Sequence, residues 1–142
     1  AGGTERVRAY AKYFNSEFVI CDKIREKANE VKSVQVIGEA KDKDVIIVDD
    51  LIDTGGTIAM ASNVIMEKGA KSVRAIITHP VLSGNADENL NNSSLSELVV
   101  TDSIPVNVRN KKIKVLSIAG LFAKAIRKIH ENESTSSLFI NR

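Results

Sequence analysis

The strongest constraint on the fold is one uninterrupted stretch from Val45 to Thr57, with the sequence VIIVDDLIDTGGT. It opens with four apolar β-forming residues, which is typical of a strand buried on both faces. Two adjacent carboxylates, Asp49 and Asp50, then mark the carboxyl end of that strand. A short glycine-containing turn follows and leads into a helical pattern. A strand, a turn and a helix in this order predict an α/β fold with a parallel sheet.

The turn at residues 53–57 has the chemistry of a ligand site. Ligands of open α/β sheets bind outside the carboxyl ends of the strands. A helix N-terminus preceded by glycines offers free N–H groups and a positive dipole end, which suit a phosphate. Asp49 and Asp50 would repel a phosphate, but they suit hydroxyl groups or a metal ion that offsets their charge. The stretch therefore predicts a sugar phosphate site. The structural alternative is a plain connection in which an Asp or a Thr caps the helix.

Length and composition predict one ordinary globular domain. The chain has 142 residues, 43% of them apolar and 27% charged, which is enough to form a core and too apolar for a disordered chain. A net charge of +2 is too weak to indicate a nucleic-acid partner. We expect no membrane span, because no apolar run has the required length. Cys21 is the only cysteine, which indicates a reducing, cytoplasmic compartment.

Strand and helix patterns alternate along the chain. We predict a mostly parallel sheet flanked by helices on both faces, a Rossmann-like three-layer sandwich. The segment from Asp22 to Lys32 is rich in charge and has no clean period, which predicts a loop. The expected helices are at 4–14, 57–68, 85–91 and 121–130, and the expected strands are at 17–21, 34–38, 44–48, 73–77, 98–101 and 114–117.

Two segments carry a resemblance to known families. The stretch VIIVDDLIDTGGT resembles the binding motif for phosphoribosyl pyrophosphate (PRPP) that type I phosphoribosyltransferases share with ribose-phosphate pyrophosphokinases. The segment DKIREKANE, from Asp22 to Glu30, resembles the catalytic flexible loop of the pyrophosphokinases. In that family a Lys-x-Arg pair closes over the reacting phosphates, and Lys23 and Arg25 occupy the two places. Type I phosphoribosyltransferases do not carry this loop in this form, so the resemblance favours the pyrophosphokinases.

This resemblance implies a fold and an activity. Residues 1–142 would form a single type I phosphoribosyltransferase-like domain, the C-terminal half of a two-domain synthetase. The synthetase transfers the diphosphoryl group of ATP to the 1-hydroxyl of ribose 5-phosphate, with Mg²⁺ as cofactor, and releases PRPP and AMP. Homo-oligomers are typical of the family. Lys23 and Arg25 would be catalytic, and the ribose 5-phosphate would be held by Asp49, Asp50, Asp53, Thr54, Gly55, Gly56 and Thr57.

Both ends of the chain also resemble family segments. Gly2 and Gly3 match the end of the pyrophosphate-binding loop, whose Asp, a magnesium ligand in the family, would precede Ala1. No metal ligand is therefore assigned in the chain, and we expect a piece cut at a domain junction that is catalytically incomplete alone. The tail resembles the segment that reaches the family's regulatory phosphate site, through Ser134, Ser136 and Phe139.

Two other functions remain open at this stage. A type I phosphoribosyltransferase would consume PRPP and attach a base, but it needs a hood segment for the base, and the sequence shows none. A non-catalytic regulatory homologue of the synthetase would be expected to lose the Lys-x-Arg pair or an acid of the motif. This chain keeps Lys23, Arg25, Asp49 and Asp50.

Overall fold

The computed structural model describes the backbone of residues 2–27 and 30–139, and the side chains of residues 7–21 and 33–139. Its helices and strands alternate through most of the chain. In chain order they are α1 (Gly2–Phe14), β1 (Ile20–Lys27), β2 (Glu30–Ile37), β3 (Asp44–Ile52), α2 (Gly56–Glu67), β4 (Ser72–Pro80), α3 (Ala86–Asn91), β5 (Glu97–Thr101), β6 (Ile113–Leu116) and α4 (Ala119–His130), and a 3-10 turn follows at Ser136–Leu138.

A four-stranded parallel sheet in the order β3-β4-β5-β6 organises the fold. Val45 lies opposite Val73, and Leu98 lies opposite Ile113. Parallel neighbours need a crossover connection, and α2 and α3 provide two of them. The predicted α/β class, with a parallel sheet flanked by helices, is confirmed.

The core lies where α2 and α3 cover one face of this sheet. Every second residue is buried along β5 and along β4 as far as Ile77. The apolar run of β3 is not buried on both faces as predicted, because Val45 to Val48 are half-buried or exposed. Burial of a Val, Leu or Ile side chain in this core stabilises the fold by roughly 1.5–3 kcal/mol. The central members, each at most 5% exposed, are Ile58, Ile65, Val73, Ala75, Ile77, Leu90, Leu98 and Val100. On the other face Ile46 is 53% exposed and Ile76 is 41% exposed.

The loop predicted between Asp22 and Lys32 is wrong. The described residues of this segment, 22–27 and 30–32, belong to β1 and β2, which form a separate two-stranded antiparallel sheet. The pairing register shifts between Ile24 and Arg25, and again between Arg25 and Lys27. Such shifts disturb the strict alternation of side chains along a strand. The sequence therefore lacked the period of two on which a strand prediction depends.

The motif strand is longer than predicted. The prediction ended β3 at Val48, whereas the parallel pairing with β4 continues through Asp49 opposite Ile77 and Leu51 opposite His79. Both carboxylates of the motif therefore lie within the last part of the strand. The hydrogen bonds of the neighbouring strand hold their backbone in place.

The last helix packs differently from the others. None of the residues of α4 is buried. Its apolar side chains are between 50% and 66% exposed at Leu121, Phe122, Ile126 and Ile129.

No helix in the described ranges is both long and apolar enough to cross a membrane.

Candidate functional site

Two carboxylates stand at the carboxyl end of β3. Asp49 is half-buried and Asp50 is exposed, as expected for neighbours that point to opposite faces of a strand. The Asp50 N–H donates to Oδ1 of Asp49 at 2.9 Å. That bond fixes one oxygen of Asp49 beside the strand end. The two carboxylates therefore have different surroundings at the end of the strand.

The turn after β3 presents the N-terminus of α2. Gly55 is the N-cap residue, with φ at +74° in the left-handed region, where a β-carbon is strained. The structural alternative, in which an Asp or a Thr side chain caps the helix, is wrong, because no side chain caps α2. The first N–H groups of a helix lack intrahelical partners. Here they are left for water or for an anion.

The segment that follows β4 makes hydrogen bonds to this turn. The N–H groups of Val81 and Leu82 donate to the Ile52 carbonyl at 2.9 and 3.2 Å. The Ser83 hydroxyl donates to the carboxylate of Asp53. These contacts join the carboxyl ends of two adjacent parallel strands.

One helix side chain completes the support. The side-chain amide of Asn89, on α3, donates to the Thr54 carbonyl at 2.8 Å. The sequence reasoning missed Ser83 and Asn89. The sequence did contain a signal for Ser83. Because β3 and β4 are consecutive parallel strands, the residues that follow each of them meet at one edge of the sheet.

A second polar cluster lies at the ends of β4 and β5. His79 Nδ1 lies 2.9 Å from the Ser103 hydroxyl oxygen. That hydroxyl donates its proton to the Thr78 carbonyl at 3.0 Å. A hydroxyl carries one proton, so this arrangement is matched by the tautomer in which His79 Nδ1 donates to Ser103.

Asp102 ties β5 to the connection between β6 and α4. Hydrogen bonds from the Ser117 hydroxyl and the Ile118 N–H lower the pKa of Asp102 below its ordinary value of 3.8. The Ile118 bond is 2.8 Å long. The charged form of Asp102 is therefore the one that the folded chain favours.

An apolar groove of about 790 Å³ lies beside the motif strand, along α1, β1, β3 and α2. Its walls include Phe18, Val45 and Ile58, and it meets the candidate site only at Asp49 and Thr57. A phosphate needs donors rather than apolar walls. We therefore place the phosphate end of the candidate site at the turn, beside the groove rather than within it.

The remaining predicted residues lie on other elements. Gly2 and Gly3 open α1. Lys23 and Arg25 lie on β1, where their backbones pair with Val34 and Val31, and their side chains are outside the described residues.

The predicted regulatory residues lie in the tail. The Ser134 and Ser136 hydroxyls are 2.7 Å apart, which joins them in a local hydrogen bond. Phe139 is 71% exposed. These observations place no ligand at the tail.

The donor set of the site suits magnesium better than a transition metal. Among the side chains that the structure describes, no group of three or more His, Cys, Asp or Glu residues could hold a metal ion. Magnesium keeps several waters and is bound through one or two carboxylates together with substrate phosphates. Asp49 and Asp50 fit that pattern. A tetrahedral zinc site would need more protein ligands.

Comparison with protein families decides the membership of the chain. Residues 12–140 match the model of the phosphoribosyl synthetase-associated domain. The chain belongs to the phosphoribosyl synthetase family. Its sequence is 53% identical to a ribose-phosphate pyrophosphokinase of Campylobacter jejuni, over 98% of this chain and 45% of that protein. It is 46% identical to the enzyme of the same name from Porphyromonas gingivalis, over 97% of this chain and 44% of that protein.

A solved structure supports the same membership of the phosphoribosyl synthetase family. The chain superimposes on the phosphoribosylpyrophosphate synthetase of Mycobacterium smegmatis with a TM-score of 0.76 and 39% identity. The match covers 89% of this chain and 42% of that one. The chain thus spans less than half the length of the relatives it matches. The resemblance to ribose-phosphate pyrophosphokinases is confirmed.

Proposed function

We propose that the chain is the C-terminal domain of a ribose-phosphate diphosphokinase and that it supplies the ribose 5-phosphate site. The observation that carries this proposal is the order of groups at the end of β3. Two carboxylates lie in the last part of β3, and the turn after the strand leads to Gly55 in the left-handed region and to a helix with no side-chain cap. Acids beside an uncapped helix N-terminus match a ligand with hydroxyls at one end and phosphate at the other.

Each end of the sugar phosphate has its own partners in this proposal. Asp49 and Asp50 accept hydrogen bonds from the 2- and 3-hydroxyls of the ribose. The N–H groups at Gly55, Gly56 and Thr57 donate to the 5-phosphate. The hydroxyls of Thr54 and Thr57 add donors, and Asp53 shapes the turn through its contact with Ser83.

The reaction is a diphosphoryl transfer. The 1-hydroxyl of the ribose forms a bond to the β-phosphorus of ATP, and its proton is released. The bond between that phosphorus and the bridging α-β oxygen breaks, so AMP leaves with that oxygen. Lys23 and Arg25 would neutralise the charge that develops on the transferred group, since phosphoryl transfer depends mainly on positioning and electrostatics.

Further parts of the proposal rest on membership of the family. Mg²⁺ is the cofactor, and it would be held by the substrate phosphates with Asp49 or Asp50 nearby; when bound, it offsets phosphate charge. ATP binds chiefly outside this chain, Gly2 and Gly3 contribute to a pyrophosphate subsite, and the enzyme is a cytoplasmic homo-oligomer. Residues Ser134, Ser136 and Phe139 would belong to a regulatory site. That the chain keeps Lys23 and Arg25 supports an active synthetase over a regulatory homologue.

Titration calorimetry with three ligands tests the site. We expect the chain to bind ribose 5-phosphate more tightly than either ribose or inorganic phosphate. Asp49→Asn keeps the shape and removes the charge, so it should weaken ribose 5-phosphate binding about tenfold, which corresponds to ~1.4 kcal/mol. It should leave inorganic phosphate binding unchanged or tighter, because a repelling charge is gone.

The matched control is Glu67→Gln, which removes an exposed carboxylate at the far end of α2. It should change neither affinity. Equal binding of ribose 5-phosphate and inorganic phosphate by the unmodified chain would contradict a sugar phosphate site.

A further inference from the structure

Asn89 donates a hydrogen bond to the turn, and this bond also sets the direction of the Gly55 N–H. Its side-chain amide donates to the Thr54 carbonyl at 2.8 Å. The Thr54 carbonyl and the Gly55 N–H belong to one planar peptide group, which is trans, so they point in opposite directions. A donor that holds the carbonyl on one side therefore holds the N–H on the other.

The surroundings of Gly55 make this orientation matter. Gly55 is buried and has φ at +74°, a conformation that glycine leaves readily because it also populates other regions. A β-carbon at Gly55 would lie 3.8 Å from both the Ala86 carbonyl oxygen and Leu90 Cγ, so α3 packs directly behind the turn. Gly55 has no side chain of its own that would fix the peptide between Thr54 and Gly55. The hydrogen bond from Asn89 to the Thr54 carbonyl restrains this peptide, together with the bond from the Ala59 N–H to the Gly55 carbonyl.

We propose that Asn89 is a positioning residue that orients the Gly55 N–H toward the 5-phosphate. This inference rests on the proposed function, because it gives a task to a residue that does not itself touch the ligand. Ser83 holds the neighbouring Asp53 in a similar way. The segment after β4 thus pre-organises the turn, which reduces the ordering that a ligand must impose.

Three variants separate positioning from a general structural role. Asn89→Ala removes the donor, Asn89→Gln keeps an amide on a longer stem, and Asn92→Ala removes an exposed amide at the C-cap of the same helix. A hydrogen bond of this kind contributes about 1 kcal/mol, which corresponds to a roughly fivefold change in affinity. We expect Asn89→Ala to weaken ribose 5-phosphate and inorganic phosphate by that factor and to leave ribose binding unchanged. Asn89→Gln should restore part of the loss, and Asn92→Ala should have no effect.

The Gly55 amide gives a direct readout in the ligand-free chain. Its ¹⁵N–¹H resonance should shift in Asn89→Ala and stay in place in Asn92→Ala. In the unmodified chain the same resonance should move downfield when inorganic phosphate is added, and the movement should shrink in Asn89→Ala. A merely structural role would lower the melting temperature without moving this one resonance selectively.

The outcomes distinguish this inference from the proposed function. If the unmodified chain binds ribose 5-phosphate, and Asn89→Ala binds it equally well with an unmoved Gly55 resonance, Asn89 has no positioning role and the site itself survives. If phosphate binds and ribose 5-phosphate binds no better, the sugar site fails while the role of Asn89 at an anion turn stands. Absence of binding by every ligand would overturn both.

Discussion

At the scale of single residues, the left-handed conformation of Gly55 sets the shape of the turn. Gly55→Ala should lower the free energy of unfolding by about 1–2 kcal/mol, because a β-carbon is strained at φ +74°. Gly56 is the matched control, because it is not among the residues with positive φ and its nearest prospective neighbours lie 3.8 Å away. Gly56→Ala should leave stability within about 0.5 kcal/mol of the unmodified chain. Urea unfolding measures both, and equal effects would contradict the strain at Gly55.

Lys23 offers the residue-scale test of catalysis. In the full-length enzyme, Lys23→Ala should lower kcat by at least ~100-fold, if this cation stabilises charge that develops in the transition state. Affinity for ribose 5-phosphate should change little, since the proposed sugar contacts lie on β3 and the turn. Steady-state AMP formation measures both constants. An unchanged kcat would remove Lys23 from the mechanism.

At the scale of elements, Lys112 links β6 to the end of α3. Its ammonium donates to the carbonyls of Leu90, Asn91 and Ser93 at 2.7, 3.3 and 2.9 Å. The last carbonyls of a helix lack intrahelical partners, and a cation there is favourable. Lys112→Met keeps the apolar stem and should lower the free energy of unfolding by about 1–3 kcal/mol. Lys111→Met, at an exposed neighbour, should change it by less than about 0.5 kcal/mol in the same urea titration.

Glu97 joins three strands and makes stability depend on pH. Its hydrogen bond with Lys114, and the charges of Lys114 and Arg74, lower the pKa of Glu97 below its ordinary value of 4.5. Because the pKa is lower in the folded chain, the charged carboxylate stabilises the fold at pH values above the pKa of the unfolded chain, which is about 4.5. This stabilisation is lost as the pH falls through the pKa of the folded chain. Glu97→Gln should therefore have a lower free energy of unfolding than the unmodified chain at pH 7. The difference between the two free energies should shrink toward pH 3.

Urea unfolding at the two pH values checks this behaviour. The control Glu131→Gln, at the exposed C-cap of α4, should give no such convergence. A gap that stays constant between pH 7 and pH 3 would mean that the ion pairs of Glu97 do not contribute.

The elements also show what the sequence could predict. The strand with Asp49 and Asp50 was recognisable because continuous apolar β-formers end abruptly in acids, and the helix after it because Ile58, Ala61 and Ile65 recur at helical spacing. The β1–β2 hairpin was missed because its register shifts disturb the alternation. Asn89 was missed because its contact with Thr54 spans 35 residues. Periodicity reports local structure and carries no information about such distant pairs.

At the scale of the whole molecule, the chain should be unable to complete the reaction alone. It spans 45% of the Campylobacter jejuni relative, and the resemblance implies that adenine binds largely outside it. Incubation of the purified chain with ATP, Mg²⁺ and ribose 5-phosphate should produce no AMP above the background of ATP hydrolysis, measured by chromatography. Steady formation of AMP that requires ribose 5-phosphate would contradict this expectation.

The division of the strands into two sheets has a mechanical consequence. Lys23 and Arg25 lie on a ribbon whose backbone bonds are internal to β1 and β2, whereas Asp49 belongs to the parallel sheet. The base of the ribbon is anchored, because Val36 of β2 is 3% exposed and packs in the core. A bend of the part that carries Lys23 and Arg25 would break no ladder bond of the parallel sheet, because the two sheets share none. Because the backbones of β1 and β2 are already paired, placing this ribbon over a ligand would cost less conformational entropy than ordering a coil of the same length.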